Sequence, residues 1–549
     1  MNKFTKQCVA AMASLAMAGT LCVAGAVVTN NVAFANGATA TPAGKTGINV
    51  KSKDPEYKSA PWLLGDTDKG KTDYKITIYK WEDDGKKTTP LEGAEFKIQK
   101  VKKLGTGNDD AIDLTKYDDW AKVAKKVSDL NSGKETGLDL DTATTATTGA
   151  DGKAEFSVGI GLYRIQETKA PANHSMSEAR AFYMTLPMVE NVAGETKYNY
   201  APYADPKNKN IEDNVSKTVD TSKTVGADDD ISYTITAKLD HIKHDNVEVT
   251  ADDLKNFTIL DLAPADVFTD YSSTVVKEIK VDNGSKFVAA DYSVANPVDV
   301  PAPSDKSDVA RKKIAITFTQ SGTNKLVAAA NAKSDSTASE VTVKLTFTLT
   351  DTAKLGKNSV TNKAGILPSN HSDTDNIIYS KTTPTTKFAS FAIKKVDEQN
   401  KPLGGAKFKL FANQTDATNC NASLNGDTSK SCANESKFGE KEATMNAGKT
   451  SAETAAYSVK RAQDFYVVET SAPNGYLRDA NVHTVNISDD KESGELTVTN
   501  IKADSFIFKL PRTGAAGVTI FAIAGMGLVG IGIFVFMRNR KKDEEHQNA

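Results

Sequence analysis

Histidine is sparse and cysteine nearly absent. The 549 residues include six His and four Cys. The histidines are scattered, and no Gly-rich loop of the kind that cradles phosphate occurs. Both absences count against an enzyme, and nothing calls for a metal or a cofactor. An excess of charge of one sign is missing too. Lys and Arg total 68 against 70 Asp and Glu, for a formal net charge of -2. No nucleic-acid partner is implied.

What is present begins with an export signal. Residues 1–35 have a basic start at Lys3 and Lys6, an apolar stretch, and Ala33-Phe34-Ala35 before Asn36. This reads as a secretory signal peptide cleaved after Ala35. Cys8 and Cys22 leave with it. Cys420 and Cys432 remain, and an even pair in an exported chain suggests one disulfide, with two free thiols as the alternative. A bond there would stabilise by about 3 kcal/mol on the chain-entropy account.

Short Val/Ile/Thr-rich runs recur between Gly, Asn and Asp turns, the pattern of all-β sandwiches. One segment departs from it. Trp120, Val123, Ala124, Val127 and Leu130 follow helical spacing, and Asn131-Ser132-Gly133 stops the run. The spacing predicts a helix over 117–130.

The other end of the chain carries Leu510-Pro511-Arg512-Thr513-Gly514. Then come 23 residues without charge, Ala515 to Met537, and a basic cluster from Arg538 to Lys542. That run is long enough to cross a hydrocarbon core of about 30 Å, and the basic cluster holds its end in the cytoplasm. Everything before Leu510 then lies outside the cell. The order pentapeptide, span, basic tail resembles the LPXTG sorting signal of Gram-positive surface proteins. In that family a sortase cleaves between Thr and Gly, here Thr513 and Gly514, and moves the Thr carbonyl onto an amine. An ordinary single-pass anchor is the bland alternative.

An internal repeat divides the remainder. Pro90-Leu91-Glu92-Gly93-Ala94-Glu95-Phe96-Lys97-Ile98 matches Pro402-Leu403-Gly404-Gly405-Ala406-Lys407-Phe408-Lys409-Leu410, and Tyr163 to Pro171 matches Tyr466 to Pro473. The expected organisation is a polar, flexible arm at 36–70 and a first domain at 71–208. A middle domain of different pattern follows at 209–384, then a last domain at 385–503. The sorting signal occupies 504–514, the span 515–537 and the cytoplasmic tail 538–549. Thr382-Thr383-Pro384-Thr385-Thr386 reads as the linker into the last domain.

In a strand, residues two apart share a face. Lys80 is in phase with Tyr74, Ile76 and Ile78, Lys395 with Phe391 and Ile393, and Lys217 with Val215 and Val219. Three lysines thus fall on core-facing positions. So do the acids Glu167, Glu469 and Asp261, and the amides Asn500 and Asn362, while Asn208 closes the first domain. Burial favours a neutral, nucleophilic amine and a protonated acid that can polarise an amide. The bland reading of each lysine is a strand-edge side chain reaching back to water.

These residues resemble those of the Ig-like domains in Gram-positive pilins and collagen adhesins, where intramolecular isopeptide bonds form. The outer domains resemble the B-type, with a Glu, and the middle one the A-type, with an Asp. The resemblance implies three tandem Ig-like β-sandwiches. It also implies bonds Lys395–Asn500 with Glu469, Lys217–Asn362 with Asp261, and Lys80–Asn208 with Glu167. Tyr198 to Asn208 resembles the pilin motif that supplies the acceptor amine for polymerisation. This makes Lys207 the candidate, with Lys209 and Lys197 as rivals, since Pro202, Ala204 and Asp205 depart from the usual residues. The implied product is the backbone subunit of a covalent pilus joined from Thr513 to Lys207. Its partners would be pilus-specific and housekeeping sortases, other copies of itself, tip and base pilins, peptidoglycan and a host surface to adhere to. Two competing readings are a monomeric wall-anchored adhesin and a pilus tip subunit. The latter is suggested only by Asp270-Tyr271-Ser272-Ser273-Thr274, read here as a loop.

Overall fold

The computed structural model describes residues 55–503, apart from 84–88, 132–134, 176–180, 193–194, 244–247, 283, 306, 335–336, 372–375 and 446–450. The signal peptide, the sorting signal, the apolar span and the basic tail lie outside the described residues. What is described is an all-β, multi-domain protein. Its strands sort along the sequence into three groups of sheets.

Alternation builds the first group. Tyr74, Ile76 and Ile78 of the Tyr74–Tyr79 strand are buried while their neighbours are half-exposed. This strand pairs antiparallel with Lys153–Val158 and parallel with Tyr203–Ala204. A second sheet centres on Glu95–Lys103 and Gly161–Lys169. Both sheets feed one core that contains Ile76, Phe96, Phe156 and Ile165. The helix expected over 117–130 spans Tyr117–Asn131 and brings Trp120 and Val123 into the same core. Trp120 Nε1 donates to the Leu114 carbonyl at 2.8 Å, so the ring's polar edge is satisfied on burial.

The segment before Asp73 differs from the flexible arm expected over 36–70. From Tyr57 it is packed onto the first domain. Tyr57–Lys58 pairs with Glu195–Asn199, and the Trp62 ring lies 4.9 Å from Tyr117 and 5.6 Å from Tyr198. A polar average had hidden two apolar side chains, Trp62 and Leu64, that both pack on the core.

The middle group has a four-stranded sheet carrying Val215–Asp220, Asp230–Lys238 and Glu340–Thr348. Facing it is a six-stranded sheet with Thr258–Pro264 between Arg311–Phe318 and Lys363–Leu367. In the last group Thr385–Asp397 runs parallel to Ser493–Asn500, and Lys407–Phe411 pairs with Phe465–Ser471 in a second sheet. Middle and last groups share one continuous apolar core, from Ile211 to Val498. Thr385 and Thr386 are not free linker. They open the Thr385–Asp397 strand and pair with Ser359–Thr361 of the middle group, so one strand serves both sides of the junction.

Besides two four-residue helices, Asp66–Lys69 and Thr352–Leu355, two longer ones have no clear signal in the sequence. Gln320–Ala332 is capped by the Thr319 hydroxyl and buries Leu326, Ala329 and Ala330. Gln414–Leu424 buries only Ala417 and Cys420. Small or polar residues fill both, so the helical apolar stripe is faint. The Asp270 stretch is a local turn, where Ser272 and Thr274 hydroxyls donate to the Asp270 carboxylate.

Candidate functional site: three buried lysine, acid and asparagine clusters

Each group of sheets encloses a lysine, an acid and an asparagine, and none of the nine is more than 5% exposed. In the first domain Lys80 follows directly on the Tyr74–Tyr79 strand, and Asn208 ends the Lys207–Asn208 strand that runs parallel beside Trp81–Glu82. Lys80 Nζ lies 2.8 Å from Glu167 Oε2, and Asn208 Nδ2 donates to Glu167 Oε1 at 2.7 Å. The Phe96 ring sits 5.4 Å from the ammonium position.

In the middle domain Lys217 Nζ donates to Asp261 Oδ2 and, at 3.1 Å, to the Lys363 carbonyl. Asn362 Nδ2 reaches the same Asp261 oxygen at 3.5 Å. The Tyr233 ring lies 4.9 Å from Lys217 Nζ. In the last domain Lys395 Nζ donates to Asn500 Oδ1 and, at 2.9 Å, to the Val498 carbonyl. Asn500 Nδ2 donates to Glu469 Oε1 at 2.9 Å, and the Lys395 amine is 3.9 Å from that oxygen.

Burial sets the protonation. It pulls Lys217 down to about 8 against the opposing pull of Asp261, and Lys395 down to about 8 against Glu469. Lys80 is lowered for the same reason. Burial raises Asp261 and Glu469 above the usual carboxylate range. Moving the proton from amine to acid leaves a nucleophile and a hydrogen-bond donor side by side among buried residues. Asn208 Oδ1 and Asn362 Oδ1 accept no hydrogen bond among the described residues. Each is thus open to a protonated acid once the amide turns over, since the two amide ends exchange by rotation.

The structure brings the nine residues together in the threes that the resemblance implies; strand phase alone put only the lysines, the acids, Asn362 and Asn500 on inward faces. Phase could not supply the backbone groups that complete the clusters. The carbonyls of Lys363 and Val498 hold the amines, and the Asp479 N–H donates to Glu469 Oε2 at 2.7 Å. Such groups have no side-chain signature.

Lys207 lies next to Asn208 but faces the other way. Its side chain is 19% exposed, and its amine is 3.6 Å from Asp83 Oδ1. It is more covered than an open surface lysine. Lys209 is exposed, and Lys197 pairs with Glu195 at 2.7 Å. Thr513 and the rest of Leu510, Pro511, Arg512 and Gly514 fall outside the described residues. Cys420 and Cys432 form a disulfide that ties the Gln414–Leu424 helix to the loop after it.

These features describe a β-protein with a buried lysine, acid and asparagine cluster in each of its three groups of sheets. Comparison with known proteins narrows the class. Residues 56–209 match the family model "Gram-positive pilin subunit D1, N-terminal domain". Residues 389–502 match "SpaA: Prealbumin-like fold domain", and 504–544 match "LPXTG cell wall anchor motif". The chain is 27% identical over 490 residues to the fimbrial subunit type 1 of Actinomyces viscosus, covering 84% of this chain and 86% of that one. It is 24% identical over 522 residues to the fimbrial subunit type 2 of Actinomyces naeslundii, again covering 84% and 86%. Among solved structures, the full-length major pilin SpaD from Corynebacterium diphtheriae matches at 20% identity and a TM-score of 0.45, covering 78% of this chain and 98% of that one. The chain is a Gram-positive, sortase-assembled pilin, and its place is the cell wall and the pilus.

Proposed function

We propose that this chain is the backbone subunit of a covalent pilus, and that each domain locks itself with one Lys–Asn isopeptide bond. The observation that carries the first half is the adjacency of Lys207 and Asn208. One faces outward at the end of the pilin-type first domain, while the other is sealed into the Lys80–Glu167 cluster.

The self-locking chemistry balances within the chain. The neutral lysine amine attacks the asparagine Cγ. The acid gives its proton to the amide oxygen and stabilises the tetrahedral intermediate. The amide nitrogen then leaves as ammonia, carrying the amine's surplus proton, and the acid regains its own. The product is one amide bond per domain, Lys80–Asn208, Lys217–Asn362 and Lys395–Asn500, with Glu167, Asp261 and Glu469 as the respective acids. This is a single self-modification and not turnover of an external substrate.

Polymerisation uses the other lysine. A pilus sortase cleaves Thr513–Gly514, holds the Thr513 carbonyl as an acyl-enzyme, and transfers it to the Lys207 amine of the next copy. The contact is heterologous and does not close, as a filament requires. A housekeeping sortase transfers the last copy to peptidoglycan, and tip and base pilins complete the fibre, whose role is adhesion to a host surface.

One observation favours a second reading, a monomeric wall-anchored adhesin. The Lys207 side chain is largely covered and paired with Asp83. Boiling wall extracts in detergent separates the two readings. A ladder of multiples is expected, and a single band would leave only the adhesin.

A further inference from the structure

The middle domain holds a buried cation that the chemistry above does not use. Arg311 is 4% exposed and begins the Arg311–Phe318 strand, next to the strand that bears Asp261. Its NH1 donates to two carbonyls, Leu262 at 2.8 Å and Thr361 at 3.0 Å. Leu262 directly follows Asp261, and Thr361 directly precedes Asn362. The other side of the guanidinium is occupied by Asp308, which accepts from Nε at 2.9 Å and from NH2 at 2.6 Å. Asp308 also accepts from Lys363 Nζ at 2.7 Å, and the Lys363 carbonyl is the one that holds Lys217.

We infer that Arg311, oriented by Asp308, is a positioning residue for the Lys217–Asn362 bond: it clamps the backbone beside the acid to the backbone beside the amide. This rests on the self-locking chemistry proposed above. An ordinary structural arginine would need partners but not these. Burying a guanidinium is costly, and apolar replacements of buried ion pairs are often as stable. Here NH1, which has two N–H groups, donates to the peptide carbonyls flanking both reacting side chains. One nitrogen holding both carbonyls fixes their separation more tightly than strand pairing alone, and reaction rate is steep in that separation. The last domain has a related device. Arg478 NH1 donates to the Glu469 carbonyl at 2.8 Å and to the Asp479 carbonyl at 3.0 Å, beside the N–H that binds the Glu469 carboxylate.

Charge adds a second, separable effect. The groups facing Lys217 are Asp261 from its neighbouring sheet, the Asn362 amide, the Tyr233 ring and, beyond Asp261, Arg311 with Asp308 and Lys363 behind it. Arg311 repels the ammonium form of Lys217 and favours the ionised form of Asp261. Removing the charge therefore shifts both groups to higher pKa.

The test uses the full chain. It is pulse-labelled, sampled with time, quenched in denaturant and digested, so that the Lys217–Asn362 peptide pair is counted directly. Arg311→Met is expected to slow that bond about a hundredfold, the cost of misplacement by about an ångström. The Lys395–Asn500 bond in the same molecules should form on schedule. Arg311→Lys restores charge without the fork, and Arg311→Gln restores one donor without charge, so each is expected to rescue in part. Uncrosslinked chain, trapped in denaturant as it is synthesised and then refolded at about pH 5 to 9, adds a readout that a merely structural role would not move. The alkaline limb of the rate is set by Lys217 and should sit at higher pH in Arg311→Gln than in wild type. If Arg311→Met fails to fold, Asp308→Asn decides, since it keeps the arginine and frees its orientation. Wild-type time course and limb in the folded variants overturn the clamp. Absence of the Lys217–Asn362 pair from wild type overturns the underlying chemistry instead.

Discussion

Asn500 and Glu469 meet inside the last domain, where the amide donates to Oε1 at 2.9 Å and neither residue is more than 1% exposed. An amide and an acid so placed, with Lys395 donating to the amide oxygen, leave few roles for the acid beyond proton transfer. Glu469→Ala should therefore abolish the Lys395–Asn500 bond while sparing that of the middle domain. It also leaves a buried amine without its acid, a loss of about 3–5 kcal/mol. Intact mass should rise by one ammonia beyond the substitution itself, and the last domain should melt earlier. An intact Lys395–Asn500 peptide in this variant would falsify the role given to Glu469.

The pH dependence of bond formation follows from opposite demands. The amine must be neutral, and Lys395 sits at about 8 because burial lowers it. The acid must be protonated, and burial raises Glu469. Between the two values the rising fraction of free amine cancels the falling fraction of protonated acid, so the rate is flat. Above about pH 8 the amine is fully free and the rate falls tenfold per unit as the acid ionises. Below the raised value of Glu469 the acid is saturated and the rate falls as the amine protonates. Uncrosslinked chain, trapped in denaturant as it is synthesised, then refolded and quenched at intervals, gives this profile. A rate that keeps climbing above pH about 9 would mean that the acid acts ionised.

Part of this was legible in the sequence because alternation is a local signal. Period two placed Lys80, Lys217 and Lys395 on inward faces without knowledge of any partner strand. Asp261 and Glu469 were readable for the same reason. Arg311 was not. It opens a strand, its phase is undefined, and its meaning lies in two carbonyls contributed by distant segments. The helix Gln414–Leu424 was hidden because a disulfide and one buried alanine anchor it in place of an apolar stripe. The packed segment around Trp62 was hidden because one large ring outweighs many polar neighbours in burial but not in composition.

Lys207 makes a separate prediction, since it and Asn208 face opposite ways. Lys207→Arg keeps the positive charge beside Asp83 but removes a primary amine that can be acylated. The first domain should fold and melt as before, and the Lys80–Asn208 bond should still form. High-mass polymers should vanish from wall extracts. A normal ladder in this variant would move the acceptor to Lys209 or Lys197, which the corresponding substitutions would then separate.

The disulfide can be tested on its own. Cys420 and Cys432 are twelve residues apart, and Cys420 packs with Phe411, Ala417 and Val468 on the far side of the strand that carries Glu469. Replacing both with Ser opens a short loop and should cost about 3 kcal/mol on the loop-entropy account. It should leave the Lys395–Asn500 bond in place, because Val468 and Glu469 point to opposite faces. Thermal melts with and without reductant check the first statement, and intact mass checks the second. Loss of the isopeptide in the double variant would show that the helix also supports the reactive face.

The junction between middle and last domains gives the last prediction. Asp229 is 3% exposed and accepts from Val225 N, Gly226 N and Ser436 Oγ on one oxygen, and from Lys437 N at 2.7 Å on the other. One buried carboxylate thus holds a turn of the middle domain to a loop of the last. Beside it the two backbones bond directly, Ala227 N to the Ser458 carbonyl at 2.9 Å and Lys460 N to the Val225 carbonyl at 2.7 Å. The approach is so close that a Cβ on Gly226 would stand 1.9 Å from the Ser458 carbonyl oxygen. With the shared core, this makes the two domains one cooperative unit, and wild type should show a single calorimetric transition for them. Asp229→Ala strands four donors, and each hydrogen bond to a charged acceptor is worth about 1.5–3 kcal/mol. Gly226→Ala forces the backbones apart. Either change should split the transition in two and expose the Thr382 region to protease, while all three clusters retain their own bonds. A single unchanged transition in both variants would mean that the core alone, and not the Asp229 clasp, couples the domains.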